Sequence, residues 1–362
     1  MVMIAGGGSG GHIYPAIAIG RSLMKQSDQI QVRFVGTAEG LEQKIMAREK
    51  LGLDLILSGK LNFSGNLIQK LKTVFKIPVG LVQSFFLILK YQPLFVLGVG
   101  GYASAPFLMM ATVMGRKTAL WEPNAHPGMA NRILSKFVPM AYLVFDDAKK
   151  YLKVERFKVM GMPLREEIDQ AQLSQDKKEI SSAKLNILCF GGSQGSLFLN
   201  QALSDFVIQH PELHSEIEVI HQTGARGYSE MKEKYGNISC VQLHEYIYDM
   251  PHYYQKADVQ FCRGGASTIA EAAAFGVIPI IVPLRAADDH QLKNAEVVAD
   301  ANAGYLIKEN EFDSEKFHRL ILNLKNDINL RKTLGENLKK LAPFGAAKEI
   351  ASDIIKQVSS EL

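Results

Sequence analysis

Residues 6–12, Gly-Gly-Gly-Ser-Gly-Gly-His, carry the strongest chemical signal in the sequence. They follow a short apolar run, residues 1–5, and precede a stretch with helical character. A glycine-rich turn lets backbone N–H groups approach a phosphate closely, and the N-terminus of the following helix adds a partial positive charge. His12 comes directly after the last glycine, where an imidazole can take up or release a proton near neutral pH. The spacing therefore predicts a phosphate-binding turn beside a general base.

Other interpretations of this turn stay open. The glycines could serve only to pack a helix tightly on a strand, and His12 could only donate a hydrogen bond to a phosphate oxygen. Three of the glycines also match the GxGxxG pattern of dinucleotide-binding domains. That pattern expects an acidic residue near the end of the second strand, to bind a ribose. Here the predicted strand 31–35 is followed by Gly36 and Thr37, and Glu39 lies beyond it.

Further glycine-rich turns recur after predicted strands, at residues 98–106 and at residues 191–195. One such turn is a weak signal, because many Rossmann-like strands end in glycine. Three in one chain are more specific, and they predict two phosphate-bearing substrates, one for each domain. Residues 262–271 again place glycines before a helix. Glu271 in that helix could accept from a ribose diol, or it could simply complement the helix dipole.

Strands and helices alternate along both halves of the chain. Near-continuous apolar runs separated by helical stretches predict parallel sheets covered on both faces. The predicted strands are residues 1–5, 31–35, 94–99, 117–121 and 141–145, then 185–190, 218–222, 239–242, 259–262 and 278–282. The second half repeats the order of strand, glycine turn and helix that opens the first half. The predicted fold class is α/β, with two Rossmann-like, doubly wound parallel-sheet domains facing a central cleft.

The domain boundaries follow from the same pattern. We predict an N-terminal domain over residues 1–163 and a C-terminal domain over residues 164–340. Residues 341–362 are predicted to form a helical segment that packs back on the N-terminal domain. The polar stretch 166–184 is typical of a linker or an exposed helix.

A long acid-free segment makes the charge distribution uneven, although the formal net charge is only +4. Between Leu55 and Trp121 there is no Asp or Glu, whereas seven residues are Lys or Arg. Apolar and basic residues recur there at helical spacing, which predicts a helix lying on an anionic bilayer. The residues concerned are Leu67, Lys70, Leu71, Lys72, Phe75 and Lys76. The alternative is an ordinary helix with its lysines in solvent. Nucleic-acid binding is disfavoured, because the basic residues are interleaved with aliphatic rather than stacking aromatic side chains.

Composition and termini predict a cytoplasmic protein that does not cross a membrane. No apolar run reaches the roughly 18–20 residues that a spanning helix needs. The first residues lack the basic and apolar regions of a signal peptide. The three cysteines are far apart and odd in number, which indicates reduced thiols rather than a disulfide framework or a zinc site.

Taken together, several segments resemble the MurG enzymes of glycosyltransferase family 28, which add N-acetylglucosamine to lipid I in peptidoglycan synthesis. The segments keep the order of the family and extend from residue 4 to about residue 300. They are GGGSGGHIYPAIAI, GVGGYASAP, EPNAHPGMANR, GMPLR, FGGSQGS, HQTG, YIYDM, ADVQFCRGGASTIAEAAAFGVIPIIVPL and ADDHQLKNA.

The resemblance implies a GT-B fold and an inverting transfer that uses neither metal nor cofactor. The donor would be UDP-N-acetylglucosamine, and the acceptor would be lipid I, undecaprenyl-diphosphate-N-acetylmuramyl-pentapeptide. By motif position, His12 would be the catalytic base. The donor would contact Ser9, Gly10, Gly11, Asn124, Arg165, Ser193, Ile247, Ala266, Ser267, Thr268, Ile269, Ala270, Glu271 and Gln291. The acceptor diphosphate would contact Gly10, Gly101, Tyr102 and Ser104.

The resemblance also implies where the enzyme works and with what. We expect a peripheral protein at the cytoplasmic face of the inner membrane, with other cell-wall synthesis proteins as partners. No two Asp residues are two positions apart, so the Asp-x-Asp motif that holds manganese in many glycosyltransferases is absent.

Three positions depart from the family pattern. Ser9 stands where threonine is usual, Pro123 replaces a common glutamine, and Gly264 stands where serine is usual after Arg263. Ser9 keeps a hydroxyl, whereas the other two remove a side chain that could form a hydrogen bond.

Three alternative functions stay open from the sequence. A related transferase could use another nucleotide sugar or a diacylglycerol acceptor. A regulator could bind the nucleotide sugar without turnover. An epimerase of similar fold also binds UDP-sugars, but it has no lipid acceptor, and the basic apolar segment speaks against it.

Overall fold

The computed structural model describes residues 1–8, 10–38, 40–59, 67–173, 183–285 and 289–361, and for residues 67–75 and 173 it describes the backbone alone. Two compact units are present. The first consists of Met1–Arg165 together with Gly345–Leu362, and the second of Glu166–Phe344. Each unit is built on a parallel sheet with helices, which confirms the predicted α/β class with two doubly wound domains.

The first unit alternates strands and helices from its first residues. Its strands are Val2–Ala5 (β1), Val32–Gly36 (β2), Leu53–Leu55 (β3), Phe95–Gly98 (β4), Lys117–Glu122 (β5), Met140–Leu143 (β6) and Arg156–Val159 (β7). Its helices are Gly10–Gln26 (α1), Glu42–Arg48 (α2), Leu67–Tyr91 (α3), Ser104–Val113 (α4) and Met129–Leu134 (α5). The strand order is β3-β2-β1-β4-β5-β6-β7, and every pair is parallel.

The second unit repeats this plan. Its strands are Leu185–Phe190 (β8), Ile217–Gln222 (β9), Val241–His244 (β10), Val259–Cys262 (β11), Ile278–Ile281 (β12) and Tyr305–Leu306 (β13). Its helices are Glu166–Leu173 (α6), Leu197–Gln209 (α7), Tyr228–Tyr235 (α8), Met250–Lys256 (α9), Ala266–Phe275 (α10), His290–Asp300 (α11), Ser314–Asn326 (α12) and Ile328–Leu341 (α13). The order β10-β9-β8-β11-β12-β13 makes β8 the counterpart of β1.

A final helix, Ala346–Val358 (α14), belongs to the first unit although it follows the second in sequence. Buried residues recur along it at helical spacing, including Ile350, Ile354 and Val358, and this apolar face packs on α1. Asp353 pairs with Lys158 and accepts a hydrogen bond of 2.8 Å from the buried hydroxyl of Tyr142. The helix is therefore held by an apolar stripe and by polar contacts that include those of Asp353.

The sheets form the centres of two separate cores. In the first unit, Val96, Leu120 and Phe107 are fully buried among strands and α4. In the second unit, the ring of Phe206 packs edge-on against that of Phe317, with centroids 5.2 Å apart. Strands buried on both faces explain why the sequence shows apolar runs rather than alternation.

Several boundaries differ from the sequence prediction. Strands β3, β7 and β13 were not predicted, because β3 and β13 have only three and two residues and β7 is largely exposed. Helix α1 begins at Gly10 rather than near Tyr14, so His12 lies within its first turn. Helix α3 continues to Tyr91, far beyond the segment predicted at residues 67–76.

Candidate active site

The glycine turn after β1 contacts the glycine turn after β4. The backbone N–H of Gly7 donates to the carbonyl oxygen of Gly100 over 3.3 Å. Gly101 has a φ of +78°, and a Cβ at this position would collide with the backbone of Gly7. A side chain is therefore excluded at Gly101 both by its backbone conformation and by the space available. Because β1 and β4 are adjacent in the sheet, the two turns meet at its carboxyl edge.

His12 lies at the junction of these two turns. It is the third residue of α1 and is half-buried. Its ring packs on Gly100, where a Cβ would lie 2.8 Å from both Cε1 and Nδ1 of the imidazole. The first N–H groups of a helix have no partner within the helix, and they give its N-terminus a partial positive charge. A partly exposed imidazole thus sits in the first turn of α1, next to the turn that leads into α4.

The residues predicted for the acceptor diphosphate occupy different environments. Tyr102 is exposed at 39%, and its carbonyl oxygen accepts a hydrogen bond of 2.6 Å from Ser58 Oγ. Ser104 is fully buried, and its Oγ has no hydrogen-bond partner among the described residues. A Cβ on Gly98 would lie 2.6 Å from that Oγ, so the hydroxyl packs against the end of β4. The group that Ser104 can offer an anion from this position is its backbone N–H at the start of α4.

Arg165 belongs to the first unit by its contacts. Its guanidinium lies 5.7 Å from the centre of the Tyr14 ring, which is on α1. A Cβ on Gly10 would lie 3.4 Å from the same ring. Sequence reasoning grouped Arg165 with the donor-binding residues of the second half. The structure brings it close to the helix that carries His12.

A buried carboxylate at the end of β5 holds the segment that contains Asn124. Glu122 is 1% exposed. Its Oε1 accepts from the backbone N–H and the Nδ2 of Asn124 over 2.9 and 3.2 Å, and its Oε2 accepts from Asn131 Nδ2 over 2.8 Å. Burial raises the pKa of Glu122 to about 7, although these hydrogen bonds oppose the rise. Sequence reasoning gave Glu122 no role, yet an acid directly after a buried strand and followed by two asparagines was a usable signal.

In the second unit, the glycine turn after β8 contacts the turn after β9. Gly195 and Gly224 have φ values of +74° and +73°, and a Cβ on either would collide with backbone of the opposite turn. Ser193 is exposed at the tip of the first turn. Gln222 joins this pair to Ile247, since its Nε2 donates to Gly192 O over 3.0 Å and its Oε1 accepts from Ile247 N over 2.9 Å.

A buried histidine at the end of β9 supports the turn that follows this strand. His221 lies between Tyr235 Oη, 2.9 Å from Nδ1, and Asn200 Oδ1, 3.0 Å from Nε2. Asn200 in turn donates to the carbonyl oxygen of Thr223 over 3.0 Å. Burial lowers the pKa of His221 to about 3, so the imidazole is neutral at physiological pH. His221 therefore acts as a structural residue in this unit.

Arg263 links the turns after β8 and β11 by side-chain hydrogen bonds. Its Nε and Nη2 donate to Ser196 Oγ over 3.1 and 2.8 Å. Ser196 caps α7, with the same Oγ accepting from the backbone N–H of Leu199. Nη1 of Arg263 donates to Glu309 over 2.9 Å. The guanidinium is thus engaged within the unit, next to the helix start that follows the glycine turn.

Helix α10 divides the six consecutive residues predicted to bind the donor. The side chains of Ala266, Ile269 and Ala270 are buried, so only the backbone of these three residues could meet a donor. Ser267, Thr268 and Glu271 are partly exposed, because helical spacing places them on another face. Glu271 Oε2 lies 3.3 Å from the hydroxyl of the buried Tyr254, which donates to it. Tyr254 stacks on Phe275, with ring centroids 5.4 Å apart.

Gln291 in the first turn of α11 holds two strand ends together. Its Oε1 accepts from the backbone N–H groups of Gly264 and Leu284 over 3.2 and 2.9 Å. A Cβ on Gly264 would collide with the carbonyl oxygen of Gln291. This collision explains why glycine suits position 264 here. A structural use for the Gln291 side chain was not apparent from the sequence.

Some predicted residues lie outside the described part of the chain. Ser9 is one of them, and so are the side chains of Leu67, Lys70, Leu71, Lys72 and Phe75. Lys76 is described and is partly exposed.

Further along α3, large apolar side chains are exposed. Their exposed fractions lie between 38% and 62%, and they are Val79, Val82, Phe85, Phe86 and Leu89. Residues 79, 82, 86 and 89 are three or four positions apart, so they share one face of the helix. Among the helices that the structure describes, none combines the length and hydropathy needed to cross a membrane.

Comparison with known proteins identifies the family. The family model of the glycosyltransferase family 28 N-terminal domain matches residues 2–143, and that of its C-terminal domain matches residues 186–358. A protein of Bdellovibrio bacteriovorus, named UDP-N-acetylglucosamine--N-acetylmuramyl-(pentapeptide) pyrophosphoryl-undecaprenol N-acetylglucosamine transferase, is 50% identical over 98% of both chains. A protein of the same name from Myxococcus xanthus is 32% identical over 97% of this chain and 91% of its own.

A solved structure agrees with these relatives. The crystal structure of MurG from Acinetobacter baumannii superposes with a TM-score of 0.80 at 26% identity, covering 98% of this chain and 99% of that one. The glycine turns of both units lie within the two matched regions. The chain belongs to glycosyltransferase family 28.

Proposed function

We propose that this glycosyltransferase moves N-acetylglucosamine from UDP-N-acetylglucosamine to the 4-hydroxyl of the muramyl residue of lipid I, with inversion, giving lipid II for peptidoglycan synthesis. The geometric observation that carries the proposal is the position of His12. Its half-buried ring packs on Gly100, where the glycine turns before α1 and α4 meet. The names and identities of the relatives support the choice of substrates.

The first unit, residues 1–163 of the predicted division, would bind the acceptor. The starts of α1 and α4 supply backbone N–H groups at Gly10, Gly11 and Ser104 for the diphosphate of lipid I. Gly101 allows the turns to approach each other, and Tyr102 offers an exposed side chain beside them. In this arrangement His12 would lie beside the diphosphate, within reach of the sugar that is joined to it.

The second unit, residues 164–340 of the predicted division, would bind the donor. Ser193 and the start of α7 would hold the diphosphate of UDP, and Glu271 would accept from the ribose diol. Tyr254 orients that carboxylate from the buried side. Gln222 ties the phosphate turn to Ile247, so a nucleotide bound along this edge would meet a single connected set of turns.

The reaction needs a base to take the proton of the acceptor hydroxyl, and it needs stabilisation of the negative charge on the departing UDP. The oxygen of the acceptor 4-hydroxyl forms a bond to the anomeric carbon, while the bond from that carbon to the UDP oxygen breaks. The proton goes to His12, and the electron pair stays on the β-phosphate of UDP. Helix N-termini stabilise that developing charge, and Arg165 adds a positive side chain beside α1.

The direct test is the release of UDP with and without lipid I. We expect release to depend on lipid I and on UDP-N-acetylglucosamine, with at least about 100-fold preference over GDP- and TDP-sugars. Equal release without lipid I would contradict the proposed acceptor. Conversion of the nucleotide sugar to an epimer without acceptor would favour the epimerase alternative.

We also propose that α3 docks on the anionic cytoplasmic face of the inner membrane, which would bring the first unit to its lipid-linked acceptor. The support is an exposed apolar face at residues 79–89, in a segment without acidic residues and with Lys76 and Lys90 nearby. The sequence prediction centred on residues 67–76. The described apolar side chains begin at Val79, just beyond that segment, and extend to Leu89 on the same helix.

Vesicle sedimentation tests the docking surface. Replacing Val82 and Phe86 with Glu should lower binding to vesicles that contain anionic lipid at least about 10-fold, because two apolar contacts are lost and two repelling charges are gained. The matched control is Ile208→Glu, an exposed apolar residue on α7 of the second unit. Equal binding by the double variant and the control would refute the docking of α3.

A further inference from the structure

A group of two histidines and one glutamate in the second unit has the ligand types of a transition-metal site. His210 directly follows α7, Glu212 is two residues beyond it, and His318 lies on α12. One possible ligand atom from each residue lies within 4.8 Å of the other two. We propose that His210, Glu212 and His318 bind a divalent ion of the zinc type.

The geometry is close to that of a bound ion. His210 Nδ1 and Glu212 Oε1 are 3.0 Å apart. The rings of His210 and His318 are stacked, with centroids 3.7 Å apart and planes 29° apart. Ligands at about 2.0–2.2 Å from a tetrahedral zinc ion are roughly 3.3 Å from each other. The three possible ligand atoms lie within 4.8 Å of one another. Rotation of the side chains that turns the stacked rings toward one point would bring all three atoms onto one ion, with water as the fourth ligand.

The chemistry of the group favours a cation with affinity for nitrogen. Imidazole and carboxylate together suit zinc, nickel and copper, whereas magnesium and calcium prefer all-oxygen sites. The last turn of α7 ends at Gln209, and its partial negative charge favours a cation next to His210.

The two imidazoles are held in place by the core beneath them. The ring of Phe206 is 2% exposed and lies 5.3 Å from the ring of His210 and 6.1 Å from that of His318. Phe206 itself packs on Phe317, the neighbour of His318 on α12. The two rings are therefore already neighbours on the surface of the core.

The position of the group indicates what the ion would do. His210 is at the opposite end of α7 from Ser196, and a helix of 13 residues is about 20 Å long. An ion there would take no part in the transfer at the glycine turns. It would instead connect the end of α7 to α12, residues about 100 positions apart in the sequence, and stabilise the folded second unit.

Calorimetric titration with zinc chloride tests the site, using untagged protein freed of metal by dialysis against a chelator. We expect one zinc ion per chain with a Kd of about 1 μM or lower. His318→Ala should weaken binding at least about 10-fold and Glu212→Gln about 3-fold to 10-fold, since each removes one ligand or its charge. The matched control, His252→Ala, removes an exposed histidine on α9 and should leave the Kd unchanged.

A second readout separates loss of a ligand from loss of the fold. Zinc should raise the Tm of the wild type and of His252→Ala, but not that of His318→Ala, while the three metal-free proteins melt alike. The proposal is overturned by absence of saturable binding below about 100 μM zinc. It is also overturned if His318→Ala binds as tightly as the wild type, or if His252→Ala loses as much affinity. Lipid-dependent UDP release is independent of all these outcomes.

Discussion

The glycine turns of the two units follow equivalent strands, β1 and β8, but they contact different neighbouring turns. The β1 turn packs backbone against backbone on the turn after β4. The β8 turn packs in the same way on the turn after β9, which is the counterpart of β2. Between β8 and β11, the counterparts of β1 and β4, the connection is the hydrogen bonding of Arg263 with Ser196.

This difference lies at the point where the strand order reverses in each sheet, which is where open α/β sheets bind their ligands. In the first unit that point is closed by glycines and carries an imidazole, which can exchange a proton. In the second unit it is bridged by a guanidinium and a hydroxyl, and Ser193 stays exposed on the turn beside it. Under the proposed function, one architecture would thus support proton transfer in one unit and anion binding in the other.

The largest expected effect concerns the imidazole that distinguishes the first unit. His12→Ala should lower kcat about 100-fold to 10,000-fold, because the acceptor hydroxyl loses its base. Its KM for UDP-N-acetylglucosamine should change less than about 3-fold, since the donor turn is intact. Steady-state kinetics with lipid I, with His252→Ala as control, measures both values. A kcat close to that of the wild type would show that His12 is not the base. The proposal that the first unit supplies the proton acceptor would then be wrong.

Substituting the buttressing glycines should separate the two units kinetically. Gly101→Ala and Gly195→Ala each place a Cβ against the opposite turn at a positive φ, at a cost of about 2 kcal/mol or more. We expect Gly101→Ala to impair use of lipid I and Gly195→Ala to impair use of the donor, each by at least about 10-fold in kcat/KM. Gly128→Ala, where a Cβ meets open space, is the control. If both variants impaired the use of the same substrate, the proposed assignment of one substrate to each unit would be wrong.

The buried titratable groups behind the turns should respond to pH in opposite directions. In the second unit, the folded pKa of His221 is about 3, below its ordinary value of 6.5. The unfolded chain therefore binds the extra proton first, and stability should be lost as pH falls below 6.5. Between pH 7.5 and pH 5 the loss from this group is about 2 kcal/mol. Urea unfolding of wild type and His221→Gln should show this difference, and parallel pH profiles would argue against it.

In the first unit, Glu122 should act with the opposite sign. Its folded pKa of about 7 is above the ordinary value of 4.5, so the folded state binds the proton in this window. Stability should therefore fall as pH rises from about 5 to 8, by about 2 kcal/mol. Glu122→Gln should remove this slope, whereas Glu155→Gln, at an exposed position, should keep it. Chemical unfolding at about pH 5 and pH 8 measures the change in stability. If Glu122→Gln showed the same change as the wild type, a group other than Glu122 would cause it.

The smallest expected effect sharpens the proposed role of Glu271 in donor binding. Tyr254→Phe removes the hydrogen bond to Glu271 and leaves the stacking on Phe275 in place. The KM for UDP-N-acetylglucosamine should rise about 3-fold to 10-fold, which corresponds to about 1 kcal/mol, with kcat nearly unchanged. A fall in kcat without a change in KM would show that Tyr254 does not act through donor binding.

The alternation of apolar runs, glycine turns and helices was enough to predict both sheets, because a strand buried on both faces has few acceptable residue types. Short or exposed strands such as β7 and β13 have no such signature, since their pairing depends on neighbours already in place. The start of α1 was placed too late, because glycines in its first turn disguise the helix. The extent of α3 was underestimated, because its exposed apolar face resembles a core segment in sequence.

His12 and the glycine turns could be found from the sequence because their residue types and spacing are local. Gln222 and Arg263 could not, because each acts by hydrogen bonds to residues brought close only by folding. Ala266, Ile269 and Ala270 were assigned to the donor by motif position, and only the structure shows that the helical period directs their side chains into the core. The sequence by itself determined the repeated strand–turn–helix plan and the imidazole beside its first turn. Only the tertiary structure decided which neighbour each turn contacts, because that choice depends on backbone collisions and hydrogen bonds between strand ends far apart in the chain.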